Sequence, residues 1–179
     1  MGAKTGAVRD EIRSLQDKGS SVMILASGTV KGLIAVSDII KPESPKAIED
    51  LHEEGMRVAM LTGDNAGAAE YIAGETHIDD VYSELTPEEK TRKIKELRDA
   101  GKRVAMIGDG INDAPALAMA DVGMAIGTGT DIAIESGDVI LVSGDLKGIS
   151  KAVRLSKATM KTIRQNLFWA FFYNVILIP

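Results

Sequence analysis

Two short stretches concentrate the groups able to do chemistry. Met60-Leu61-Thr62-Gly63-Asp64-Asn65 and Met106-Ile107-Gly108-Asp109-Gly110-Ile111-Asn112-Asp113 each run from apolar residues into a Gly-Asp turn that opens a helix. Magnesium-assisted phosphoryl transfer makes demands that this pairing meets. Negative charge spread over several oxygens needs oriented amide N–H groups, a cation and a hard metal held by oxygen ligands. Glycines permit the tight turn. Asp109 and Asp113 are separated by a turn, so both carboxylates can converge on one Mg²⁺, an ion that takes few carboxylates, water and phosphate oxygens. Thr86-Pro87-Glu88-Glu89-Lys90 opens a further helix with Thr86 as its cap, and Lys90, one turn in, is a candidate phosphate cation. Each piece has an ordinary counterpart. Thr-Gly-Asp-Asn alone is a capped turn, and Lys90 alone is a solvated lysine on a highly charged helix. Their combination points to chemistry.

The elements that must position these groups follow from the apolar pattern. Arg57 to Leu61 and Arg103 to Ile107 read as short buried strands bounded by glycine or charge. Asn65 or Asp64 caps the helix after the first, and Asn112 and Asp113 precede Ala114-Pro115, a good first helical turn. Anions favour such helix starts. Residues from about 8 to 18 read as a helix, followed by a hairpin of Val22 to Ala26 and Val30 to Val36 around Ser27-Gly28-Thr29. Ser44-Pro45 opens a helix to Glu54, and further strands are expected near Val122 and Val139. Alternation of this kind predicts an α/β fold, a doubly wound, mostly parallel sheet with helices on both faces. Ligands then gather at the carboxyl ends of the strands, where both acidic turns fall.

The ordered set Thr62-Gly63-Asp64-Asn65, Pro87 with Lys90, and Gly108-Asp109-Gly110-Ile111-Asn112-Asp113-Ala114-Pro115 resembles the haloacid-dehalogenase-like phosphorylation domain of P-type cation-transporting ATPases. Asp38 to Lys41 resembles the hinge that returns from the nucleotide domain, and Ala120 to Gly127 the strand after the metal loop. The tail Gln165 to Asn174 is similar to the heavy-metal subgroup, and its Tyr-Asn pair to the copper(I) branch. The resemblance implies Mg²⁺ and ATP as cofactors. It implies Thr62, Gly63 and Asp64 as the segment that contacts the phosphoryl group and positions hydrolysis. Lys90 becomes the lysine that neutralises the phosphate, Asp109 the main Mg²⁺ carboxylate, and Asn112 and Asp113 the residues completing the loop. Asp38 and Lys41 join Thr62, Gly63, Asp64 and Lys90 as cofactor contacts.

One departure matters. The family carries its nucleophilic aspartate in Asp-Lys-Thr-Gly-Thr on the first strand of this domain, and no such sequence occurs here. Lys4-Thr5-Gly6 is a partial echo, with Ala3 and Ala7 where Asp and Thr belong. The chain is therefore expected to be a C-terminal piece of a longer pump, cut at both ends and unable to phosphorylate itself. The missing strand belongs at the sheet centre, between the strands feeding the two acidic loops. The expected division is a nucleotide-domain remnant over 1–36, a partial phosphorylation domain over 37–146, a basic connecting helix over 147–163 and the start of a transmembrane helix over 164–179. Two other functions fit less of the pattern: a free-standing phosphatase of the same fold, which needs the absent aspartate, and a catalytically silent binding or regulatory module.

Composition sets further bounds. The 179 residues hold one α/β domain plus additions, and a formal charge of −5 argues against a nucleic acid partner. Six basic residues between Lys147 and Arg164 precede an apolar run from Leu167, the pattern of a cytoplasmic membrane flank. That run is too short to span, since a crossing needs about 20 residues. The expected setting is a membrane, with 1–163 on the cytoplasmic side and the remainder of the pump as partner. Zero cysteines exclude thiolate metal sites in this chain, so ligands for a Cu⁺ cargo are expected elsewhere. Tyr173 and Asn174, polar at membrane depth, are candidate contacts for the transported ion. His52 and His77 stand alone in the sequence and are expected at the surface.

Overall fold

The structure, a computed structural model, describes residues 8–16, 19–36, 39–108, 113–127, 137–142 and 144–177. Helix α1 (Arg9–Gln16) leads into an antiparallel hairpin, β1 (Ser21–Ser27) and β2 (Thr29–Val36). Gly28 turns it at φ +71°, a conformation open to glycine at little cost. The α/β unit follows as α2 (Ser44–Glu53), β3 (Ala59–Leu61), α3 (Ala66–Thr76), β4 (Asp80–Tyr82), α4 (Pro87–Asp99), β5 (Ala105–Gly108), α5 (Ala114–Met119), β6 (Val122–Ile126), β7 (Val139–Leu141) and α6 (Lys147–Leu177).

Helices α3 and α4 are bounded for local reasons. Asn65 accepts the Ala68 N–H at 3.0 Å and caps α3. Thr86 and Glu89 form a reciprocal capping box on α4, with Pro87 in the first turn. Gly101, at φ +79°, ends α4, and the Lys102 N–H reaches back to the Leu97 carbonyl. β4, three residues that open on Asp80, carries too weak an apolar pattern to be read from sequence.

Pairing in the α/β unit is parallel throughout, but it falls into two groups. β3 pairs with β4, while β5, β6 and β7 form a three-stranded sheet in that order. Among the described residues no ladder joins β3 to β5. Side chains join them instead. Leu61 packs into the cluster of Met106, Ile94, Ala116 and Leu117 beneath α4 and α5. Val58 and Ile107 share the opposite cluster with Leu51, Met124, Leu141 and Ile149, beneath α2 and α6. Adjacent Met106 and Ile107 thus point to opposite faces, as a strand requires, and helices cover both. The doubly wound reading holds, with an interruption between the strands that feed the two acidic loops.

Helix α6 runs unbroken for 31 residues from Lys147, across the boundary expected at 163/164. Among the described residues no helix is long and apolar enough to cross a membrane. Two of its basic residues are not merely solvated. Arg154 holds Glu54 at 3.0 Å, with Glu53 at 3.5 Å, and Lys157 donates both to Glu54 Oε2 at 2.6 Å and to the Glu54 carbonyl at 2.8 Å. These contacts fasten α6 to the carboxyl end of α2, where cations also meet the negative pole of the helix dipole. His52 is likewise not isolated: Nε2 lies 2.9 Å from Asp79 Oδ2, an oxygen that also accepts the Val58 N–H.

Lys157 and Arg154 hold the Glu54 carboxyl below its ordinary value of 4.5. Stabilisation from a depressed carboxylate is present above the ordinary value and is lost as pH falls through the lowered one. Glu54→Gln should therefore lower the melting midpoint at neutral pH, with the difference from the unaltered chain vanishing well below pH 4.5. Thermal unfolding followed by circular dichroism across that range measures it, and a pH-independent difference would assign the effect to something other than the carboxylate.

Candidate phosphoryl-transfer site

β3 and β4 run parallel, so the loop after β3 lies beside the segment after β4, and Lys90 from that segment reaches Asp113 beyond β5. In the loop after β3, Thr62 Oγ1 donates to Asp64 Oδ2 at 2.7 Å and accepts the Asp64 N–H at 3.1 Å. This closed local ring orients the hydroxyl and the carboxylate together. The segment after β4 holds the loop from outside: the Thr62 N–H bonds the Tyr82 carbonyl, Leu85 N–H the Thr62 carbonyl, and Glu84 N–H the Asp64 carbonyl. Glu84 takes φ +57° to do so, an uncommon conformation for a residue with a side chain. A Cβ on Gly63 would lie 3.4 Å from the Leu85 carbonyl.

The same segment connects this loop to the lysine. Leu85 is followed by the Thr86 cap, and Lys90 closes the first turn with its N–H on the Thr86 carbonyl at 3.0 Å. Lys90 Nζ then reaches across to Asp113 Oδ1 at 3.0 Å, with side-chain exposures of 19% and 15%. Asp113 stands at the cap position of α5 yet makes no capping bond; its carboxylate serves Lys90 instead. Gly108, the last residue of β5, makes room for it. A Cβ there would lie 2.8 Å from Asp113 Cβ.

The residues expected from sequence divide accordingly. Thr62, Gly63 and Asp64 share one loop, and Lys90 and Asp113 are in direct contact. Asp38, Asp109 and Asn112 lie outside the described residues. Lys41 donates to the Gly144 carbonyl at 3.4 Å, beyond β7. Tyr173 is exposed on the last turns of α6, and Asn174 donates to the Ala170 carbonyl one turn back. Tyr82, Glu84 and Leu85 were not legible as site residues. They act through backbone groups, which leave no side-chain signature.

The donor set suits a hard cation. Carboxylates and a hydroxyl line the edge, and the chain has no thiol. Among the described residues no three acidic, histidine or cysteine side chains form a metal-holding group. Lys90 has three donor hydrogens, and Asp113 uses one.

A parallel α/β unit with paired acidic loops at its carboxyl edge and a lysine brought to one of them defines a class. The chain belongs to the haloacid dehalogenase-like hydrolases, matching that family over residues 2–121 and again over 91–153. Within it, the chain is similar to P-type ATPases. It is 58% identical over 170 residues to the copper-transporting ATPase 2 of Rhizobium meliloti (strain 1021), which covers 94% of this chain and 21% of that protein. It is 51% identical over 175 residues to the copper-exporting P-type ATPase of Bacillus subtilis (strain 168), covering 97% of this chain and 22% of the relative. Among solved structures, a zinc-transporting PIB-type ATPase in an E2·Pi state superposes with a TM-score of 0.87 at 36% identity, over 97% of this chain and 29% of that one. The chain thus spans about a fifth of the length of these curated relatives.

Removing either member of the Lys90–Asp113 pair leaves the other mostly buried without its counter-charge. Lys90→Met and Asp113→Asn should each cost about 1–2 kcal/mol in urea unfolding, with the double variant costing less than their sum. Gly108→Ala should weaken the same pair by displacing Asp113. Additive costs for the double variant would show that the pair carries no coupling.

Proposed function

We propose that this chain supplies the magnesium- and phosphate-binding half of the phosphorylation site in an ATP-driven pump that exports a heavy-metal ion, Cu⁺ by preference. The observation carrying the reading is the Lys90–Asp113 contact at the end of β5, linked through Leu85 and Thr86 to the Thr62–Asp64 loop. Lys90 neutralises phosphate charge, and Thr62, Gly63 and Asp64 face the phosphoryl group from the other strand. Asp109 and Asp113 would hold Mg²⁺, with Asn112 completing the loop, and the ion would supply charge neutralisation there. Asp38 and Lys41 act at the hinge toward the nucleotide. The nucleophilic aspartate comes on a further parallel strand, and the sides of β3 and β5 that have no strand partner among the described residues support its entry between them.

The copper preference rests on the 58% and 51% identities to copper pumps against 36% to the zinc pump, together with Tyr173-Asn174 as ion contacts. In this reading α6 joins the cytoplasmic unit to the membrane, its basic start on the cytoplasmic side. The rest of the pump, including the cargo's thiolate ligands, is the partner.

Replacing the matching fifth of the Rhizobium meliloti ATPase with this chain tests the whole reading. The chimera should form an acid-stable phosphoenzyme from ATP, stimulated by Cu⁺ and not by Zn²⁺. Asp109→Asn in the chimera should abolish phosphorylation while Cu⁺ binding in the membrane persists. Full turnover by that variant would remove Asp109 from the site, and stimulation by Zn²⁺ alone would overturn the cargo.

A further inference from the structure

Four of the six basic residues of α6 fall into two pairs that do different things. Arg154 and Lys157 are engaged by Glu53 and Glu54 at the carboxyl end of α2. Lys161 and Arg164, one and two turns further, are exposed, and among the described residues neither has a carboxylate partner. No acidic residue occurs anywhere in α6 to supply one locally. At the helical angle of 100° per residue, Lys161, Arg164, Phe168 and Phe172 fall within one narrow stripe. Phe168 stacks on Phe172 with centroids 5.8 Å apart, and Trp169 packs edge-on against both at 5.4 and 5.6 Å. A shallow open groove of about 660 Å³ runs along this face, lined by Lys161, Arg164, Gln165, Phe168 and Trp169 among others.

The composition changes along the helix: two cations, then the aromatic cluster of Phe168, Trp169 and Phe172, then Tyr173 and Asn174, then Val175, Ile176 and Leu177. A surface complementary to it carries negative charge at one depth and hydrocarbon about one turn, roughly 5 Å, below. Asn174 donates one amide hydrogen to the Ala170 carbonyl, which satisfies part of its hydrogen-bonding capacity within the helix. We propose that the Lys161–Arg164 face of α6 is a seat for anionic phospholipid headgroups, with Phe168, Trp169 and Phe172 at the acyl boundary beneath them. This rests on the reading of α6 as a membrane junction and names the lipid class that junction selects. The cations hold lipid phosphate and the ring cluster sets their depth, so the clamp on α2 sits at a defined height above the bilayer.

Trp169 is the one tryptophan of the chain and lies inside the proposed seat, so its emission reports binding directly. The chain is titrated with phosphatidylcholine vesicles and with vesicles containing one-third phosphatidylglycerol. The expected result is a blue shift with both, at a lipid concentration at least ten-fold lower for the anionic vesicles, and loss of that difference in high salt. Each cation near an anionic surface is worth roughly five-fold, so Lys161→Gln with Arg164→Gln should remove most of the preference while leaving the shift on neutral lipid intact. Both positions are exposed, and an unchanged far-ultraviolet circular dichroism spectrum confirms that the variant folds. Equal affinity for the two vesicles would overturn the headgroup seat while leaving the membrane reading standing. No shift with either would overturn both.

Discussion

Side-chain packing across β3 and β5, without a backbone ladder between them, is the constraint on which the rest of the structure depends. Leu61 reaches into the Met106 cluster on one face, and Val58 joins Ile107 on the other, so two sheets that share no strand hydrogen bonds share both cores. Apolar burial is non-directional and holds two strands near each other without bringing their amides into register. The result is an α/β unit in which Lys90 joins the segment after β4 to the loop after β5, and in which, among the described residues, β3 and β5 each retain a side without a strand partner. Hydrogen-bonding capacity of that kind calls for a partner.

Around this interruption the structure spends its directional interactions on holding loops still. The Thr62–Asp64 ring is closed within itself and bound from outside by three backbone contacts to residues 82–85. The Lys90–Asp113 bridge fastens α4 to the loop after β5 at a mostly buried position. Preorganisation of this sort fits phosphoryl transfer, where most of the catalytic effect comes from charges and donors fixed in advance.

A second charge system lies on the opposite cluster's side. Arg154 and Lys157 of α6 grip the carboxyl end of α2, while Leu51 of α2 and Ile149 of α6 pack in the same apolar cluster. Burial sets the two helices together and the ion pairs fix their rotation and register, since exposed pairs add direction more than energy. A displacement of α2 is therefore shared by α6, the element proposed to reach the membrane.

What the amino-acid order determined by itself was local. The strand ending at Leu61, the strand read to Ile107 and found to reach Gly108, the cap at Thr86 and the cap read as Asn65 or Asp64, the hairpin about Gly28 and the α/β alternation all follow from apolar runs, glycines and capping residues within a few positions of one another. The candidate residues Thr62, Gly63, Asp64, Lys90 and Asp113 were legible because turn and cap chemistry is written in neighbouring side chains. Tertiary structure alone decided that Lys90 meets Asp113 rather than solvent, that Asp113 gives up capping to do so, that Glu84 turns left-handed to bind the Asp64 carbonyl, and that Arg154 and Lys157 serve α2. It also decided that His52 has a partner in Asp79 and that β4 is a strand. These depend on contacts between residues 20 to 103 apart, made through backbone groups and long flexible side chains. Their partners are chosen by packing, and no periodicity in the chain encodes that choice.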